Sequence, residues 1–209
     1  MLRVTGQRVS GLRRLLRLAV LAALVLIPVF AHAQSLFRLV NLSYLARRAG
    51  VIVQGRVTNV KYEPLPGYEH IPTVRVTLQV EQMLRGPEAK QYTFRQMLPL
   101  LRPRPGKAGY QVGQELLLFL PSPSEYGLSS PLGHEQGTFH IARDSQGHKF
   151  IANEFNNGSL FKNLASDAAQ EGLTLSEPQS QLISVKGGPV DLDGFVSLVR
   201  SLATLLRIE

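Results

Sequence analysis

Residues 51–63, VIVQGRVTNVKYE, and residues 73–84, TVRVTLQVEQML, decide the fold. In the second stretch Val74, Val76, Leu78 and Val80 alternate with Thr73, Arg75, Thr77, Gln79 and Glu81. A period of two belongs to a strand with one buried and one wet face, and it excludes a helix. Burial of each such aliphatic side chain is worth about 1.5–3 kcal/mol, so a one-residue slip that buried Arg75 and Glu81 instead is strongly disfavoured. In the first stretch Val51, Val53, Gly55 and Val57 share one face, and Gly55 predicts a bulge or a close approach by another backbone. Between the strands, Pro64, Pro66, Gly67 and Pro72 read as a connecting loop with Tyr62, Tyr68, Glu69 and His70 in solvent.

Upstream, the chain opens with a leader-like segment. Arg3, Arg8, Arg13, Arg14 and Arg17 precede the apolar run Leu18–Phe30, and Ala31-His32-Ala33 has the small-x-small pattern of a signal-peptidase site. The run is shorter than the ~20 residues that span a bilayer, so residues 1–33 read as a Sec-type signal peptide cut after Ala33, with a retained anchor as the alternative. The expected location is periplasmic or secreted, with no membrane contact after cleavage. Cleavage removes five positive charges from a formal net charge of +8. The basic character therefore belongs largely to the leader, and nucleic-acid binding is not expected. With no cysteine, there is neither a disulfide framework nor thiol chemistry.

The rest of the chain extends the β pattern. Residues 35–50 read as a short helix with Arg47-Arg48 in its last turn and Gly50 as its cap. Residues 91–96 alternate again. Arg102-Pro103-Arg104-Pro105-Gly106-Lys107 forms a basic, proline-rich loop, read either as an anionic-partner site or as a solvated spacer. Leu116–Leu120 is apolar throughout, which predicts a strand covered on both faces. Thr138–Arg143 and His148–Asn153 form a hairpin. A two-residue turn between Asp144 and Gly147 would set Ile141 opposite Phe150 and Phe139 opposite Ala152, with His140 and His148 on opposite faces. Residues 156–190 are polar and read as a loop, with Leu160, Phe161 and Leu164 pinned to the core. From Asp191, a cap, the pattern Leu192, Phe195, Val196, Val199, Leu202, Ala203 and Leu206 predicts a C-terminal amphipathic helix over 191–209.

Chemistry-bearing motifs are scarce. His134-Glu135-Gln136-Gly137-Thr138 lacks the second histidine of H-E-x-x-H, and no G-x-S-x-G, P-loop or dinucleotide fingerprint is present. No cofactor is implied, and no catalytic or metal-binding residue is singled out. Asn41-Leu42-Ser43 and Asn157-Gly158-Ser159 match the glycosylation sequon.

Three blocks, 49–57 (AGVIVQGRV), 76–86 (VTLQVEQMLRG) and 112–120 (VGQELLLFL), resemble the strand pattern of the netrin and tissue-inhibitor-of-metalloproteinase superfamily and of exported bacterial proteins sharing those blocks. The resemblance implies a mainly β fold: a five- to six-stranded OB-like Greek-key barrel over 34–155, with a short N-terminal helix and the C-terminal helix packed on it. In the inhibitors an N-terminal cysteine reaches the protease zinc. That cysteine is absent here, so no inhibitory residue carries over. The expected function is an exported, non-enzymatic module binding a protein partner through Tyr62, Tyr68, His70, Arg102, Arg104 and Lys107. The alternative is a metal-dependent or hydrolytic enzyme with a site near His134, Glu135 and His140.

Overall fold

The computed structural model describes residues 39–98 and 109–205. The leader, Arg102, Arg104, Lys107 and Leu206 lie outside these residues. In chain order the elements are α1 (Leu42–Arg48), β1 (Val51–Leu65), β2 (Tyr68–Arg85), β3 (Gln91–Met97), β4 (Glu115–Leu120), β5 (Thr138–Arg143), β6 (Lys149–Asn153), α2 (Leu164–Gln170), α3 (Glu177–Ile183), β7 (Val190–Asp191) and α4 (Leu192–Leu205). The strands form one antiparallel sheet of seven, ordered β3-β2-β1-β4-β5-β6-β7.

The expected five- to six-stranded closed barrel is therefore corrected to an open seven-stranded sheet. The physical reason is a change of buried face across the sheet. On β1–β3 the apolar side chains are Val53, Val57, Val76, Leu78 and Phe94, and they share a core with Leu116, Leu118 and Leu120 of β4. On β5 and β6 they are Phe139 and Ile151, which join Ile52, Leu117, Phe119 and the helices in a second core. β4 serves both cores, so the predicted two-sided burial of Leu116–Leu120 holds. Beyond β4 the sheet is committed to the helices and cannot curl back to β3. Outside the sheet, β3 carries a parallel bridge, Arg95 with Leu128.

β1 and β2 pair through register shifts at Ile52/Val53, Gln54/Gly55 and Val57/Asn59. Such bulges raise twist and bend the ribbon. Gly55 sits at one of them, where an added Cβ would stand 2.3 Å from the Gln79 carbonyl oxygen, so the expected close backbone approach is found. Gly50 caps nothing; α1 ends on extended Ala49. Instead, a Cβ at Gly50 would collide with Ser122.

The β5–β6 register differs from the expected one by one residue. Ile141 pairs with Ile151 and Phe139 with Asn153. The loop is longer than predicted: the Asp144 N–H donates to the His148 carbonyl, while Gly147 takes φ 87° and donates to the Asp144 carbonyl. Asp144 Oδ1 accepts from the N–H groups of Gln146 and His148, which favours this turn over the two-residue alternative. His140 pairs with Ala152 in this register. His148 lies in the turn before β6, so the expected placement of His140 and His148 on opposite faces of a paired strand is not found.

The polar stretch 156–190 contains two short helices where a loop is predicted. Its few apolar residues suffice because they are placed on one side: Leu160, Phe161, Leu164 and Ala168 are buried, and Leu173, Leu175, Leu182 and Ile183 pack on the same core. At α3, Gln179 accepts from the Ser176 N–H, a side-chain return that closes the first turn. α4 follows its predicted stripe, and Asp191 caps it by accepting from the Gly194 N–H. Phe139 joins sheet to helix, with ring centroids 5.6 Å from Phe119 and 5.1 Å from Phe195. Arg85, at the end of β2, donates to the carbonyls of Ala46 in α1, of Ala49 just past it, and of Ala203 in α4. One cation thus serves two helix C-termini, where the backbone dipoles favour positive charge.

Candidate functional site

The turn end of the β1–β2 hairpin projects past its neighbours, because β4 pairs only with Val51–Arg56 and β3 only with Thr73–Gln79. The predicted connecting loop shrinks to Pro66-Gly67: Leu65 pairs with Tyr68, and Gly67 at φ 81° supplies the left-handed position that a tight turn needs. Tyr62, Tyr68, Glu69 and His70 are exposed, as expected. An open groove of about 390 Å³ runs beside them, lined by Tyr62, Glu63, Pro64, His70, Pro72 and Leu98 among others.

The floor of this arm is fixed by charge. Glu63 accepts from Arg75 Nε at 3.0 Å and Arg95 at 2.8 Å, and its other oxygen lies 2.7 Å from Lys61 Nζ. Thr73, whose alternation predicts a wet side chain, is buried instead, because its hydroxyl donates to the Glu63 carbonyl and accepts from Arg95. The Lys61 ammonium, then Arg95 and Arg75, hold the Glu63 carboxyl down from 4.5 to about 2 against the opposing effect of burial. A folded-state value below the unfolded one stabilises the fold fully above pH about 4.5 and is lost as pH falls through about 2. The expected result is that Glu63→Gln lowers the thermal midpoint at pH 7, and that the gap to the unmodified chain closes between pH 5 and 2. A gap constant across that range would show that Glu63 acts without its charge.

Next to the groove, Tyr68 meets Tyr126 edge to face, with centroids 5.7 Å apart at 87°. Tyr126 sits in the turn Ser124–Leu128, closed by the Gly127 N–H on the Ser124 carbonyl and the Ser124 N–H on the Leu128 carbonyl. Tyr62, Tyr126 and Met97 are each more than half exposed. Sequence reading missed Tyr126; the Ser-Glu-Tyr-Gly turn composition was its only signal, and that fixes a turn without its neighbours.

The second predicted location is arranged differently. Gly133, His134 and Glu135 all take left-handed backbone, at φ 66°, 53° and 80°. Two consecutive non-glycine residues there are costly and must be held by their surroundings. Gln136 holds them: its side chain donates to the Gly133 carbonyl and accepts from the Val40 N–H, while its own carbonyl accepts from Asn153 Nδ2. Glu135 accepts from Gln96 Nε2 at 3.3 Å, and Gln96 accepts from the Tyr110 hydroxyl at 2.9 Å. Burial, and then the Glu135 carboxylate, push the Tyr110 phenol upward, so it stays protonated and a donor. His140 is exposed on β5, and among the described residues no group of three or more His, Cys, Asp or Glu is placed to hold a metal ion.

Both sequon asparagines are structurally occupied. Asn41 Oδ1 caps α1 by accepting from the Tyr44 N–H, and its Nδ2 donates to the Lys162 carbonyl and Asp167. Asn157 is wholly buried. Across β1, β4, β5 and β6, Glu115 bridges Arg56, Arg143 and Lys149. Burial raises its carboxyl, but the bonds from Lys149 and Arg143 outweigh that and leave it lowered. This cluster satisfies its own charges. No family model, no curated protein and no solved structure matches this chain.

Proposed function

We propose that this chain is an exported, non-enzymatic binding module that engages a protein partner through the turn end of its β1–β2 arm. One observation carries the reading: Tyr62, Tyr68 and Tyr126, all exposed, lie on and beside a ribbon whose base is locked by Glu63 and whose end outreaches both flanking strands. Aromatic side chains are among the types that contribute most at protein interfaces, and a fixed base lowers the entropy cost of binding. The basic leader and its short apolar run support export. We infer as well a likeness to the netrin and inhibitor superfamily, for which the single core shared by β1–β4 is the support.

The test places a photo-reactive phenylalanine at Tyr62 or Tyr68 of the full chain, with Tyr44 on α1 as the control. A discrete protein adduct is expected from the arm positions and not from Tyr44. Identical products from all three positions, or none from the arm, would overturn the reading.

A further inference from the structure

We infer, building on the partner-binding reading of the arm, that it takes an acidic segment of its partner, whose carboxylates sit on the polar face of β1–β3 at Lys61 and Arg75. The strand register builds this face. Lys61 stands opposite Arg75 and Arg75 opposite Arg95, so three cations form one row across three strands. All three reach Glu63, which places their head groups on the same side of the sheet. Like charges directly opposed on neighbouring strands repel, and one carboxylate among three cations leaves two positive charges uncompensated.

Two of the three cations are open to a ligand. The Lys61 side chain is 60 % exposed and that of Arg75 41 %, whereas Arg95 is 15 % exposed and already bonds Thr73, the Pro64 carbonyl and Glu63. Arg75 meets Glu63 through Nε, and its two terminal nitrogens have no hydrogen bond among the described residues. One row further from the turn, the same face carries Asn59, Thr77 and Thr93 in register, uncharged and able to hydrogen-bond, with the two threonine hydroxyls 2.9 Å apart. On the side of the turn, Glu69 lines the groove with Glu63, and its like charge directs an incoming anion toward the Asn59 row. Glu63 itself demonstrates what the cation row accommodates: a carboxylate, held by one ammonium and two guanidinium groups. A nucleic acid is served worse, because neither row holds an aromatic ring on which a base could stack.

The probe is a fluorescein-labelled peptide of alternating glutamate and threonine, titrated with the full chain at low salt and followed by anisotropy; its lysine–threonine counterpart is the control. Binding of the acidic peptide is expected, weakened about tenfold in Lys61→Gln/Arg75→Gln. Arg48→Gln/Lys186→Gln, which removes the same charge from exposed positions on α1 and before β7, should leave it within about twofold. Glu63→Gln should bind about threefold more tightly although it is the less stable chain, because it vacates the row; a folding defect alone would weaken binding. Equal loss in the two double variants, weaker binding by Glu63→Gln, equal binding of the basic peptide, tighter binding of a single-stranded oligonucleotide of equal charge, or no binding would overturn the inference. Photo-adducts from Tyr62 separate the two readings. If they form while the acidic peptide fails, the arm binds a partner that is not acidic and the inference falls alone. If they are absent as well, the partner-binding reading falls too.

Discussion

Asn157→Ala is expected to remove about 3–5 kcal/mol of stability, a large share of what a domain of this size has. Asn157 is 0 % exposed and bonds in every direction it can. Its Oδ1 accepts from the Asn153 N–H at 3.0 Å, and its Nδ2 donates to the carbonyls of Ile151 at 3.0 Å and Gly188 at 2.9 Å. Its N–H donates to Asn153 Oδ1, and Asn153 in turn holds the Gln136 carbonyl. Alanine strands one donor and two acceptors around a fully buried position, each costing about 1–3 kcal/mol. It also loses the tolerance of asparagine for the φ of 55° found there. Because the side chain ties β6 to the strand-end segment at Gly188, the loss should spread to β7 and the start of α4. Urea denaturation measures the drop, and hydrogen exchange should show β6 and α4 losing protection together. A drop below about 1 kcal/mol would mean that water replaces the lost bonds.

Gly55→Ala is expected to cost about 3 kcal/mol or more, out of proportion to one added methyl group. The new Cβ would lie 2.3 Å from the Gln79 carbonyl oxygen and 3.2 Å from the Val80 Cα, both backbone atoms of the paired strand. No rotamer relieves a clash between two main chains, so β1 and β2 must separate or slide. Sliding exposes Val76 and Leu78, which are fully buried, and separation loosens the bulge that curls the ribbon toward Leu116 and Leu118. Thermal unfolding tests this directly. Gly67→Ala is the internal comparison, because open space surrounds its Cβ position and only its φ of 81° is strained, so it should cost far less. Equal costs at the two positions would refute the close-approach argument.

Where alternation was strong, the sequence was legible. Val74, Val76 and Leu78 lie on the buried face, Gly55 stands at a bulge, and the stripe from Leu192 to Ala203 folds as one helix. Exposure of Tyr62, Tyr68 and His70 was also readable, because prolines and a glycine crowd the turn between them. The β5–β6 register was not readable: Asp144-Ser145-Gln146-Gly147 permits both loop lengths, and only the bonds at Asp144 Oδ1 choose between them. The helices within 156–190 escaped notice because their apolar residues are too sparse for a periodic signal and become an amphipathic side only once laid against Phe161 and α4.

The site divides along the same line. Tyr62, Tyr68 and His70 share one hairpin, so their nearness follows from local pairing. Tyr126 lies more than fifty residues away in sequence and reaches Tyr68 only because the turn after β4 settles beside β3. By itself the sequence determined six of the seven strands, β7 excepted, where the main hairpin bends, and the helix that follows Asp191. Only the tertiary structure decided that the sheet stays open, since a period of two says that one face of a strand is buried without saying which neighbour buries it. Here β1–β4 share one core among themselves while the helices cover a second, and β4 contributes to both.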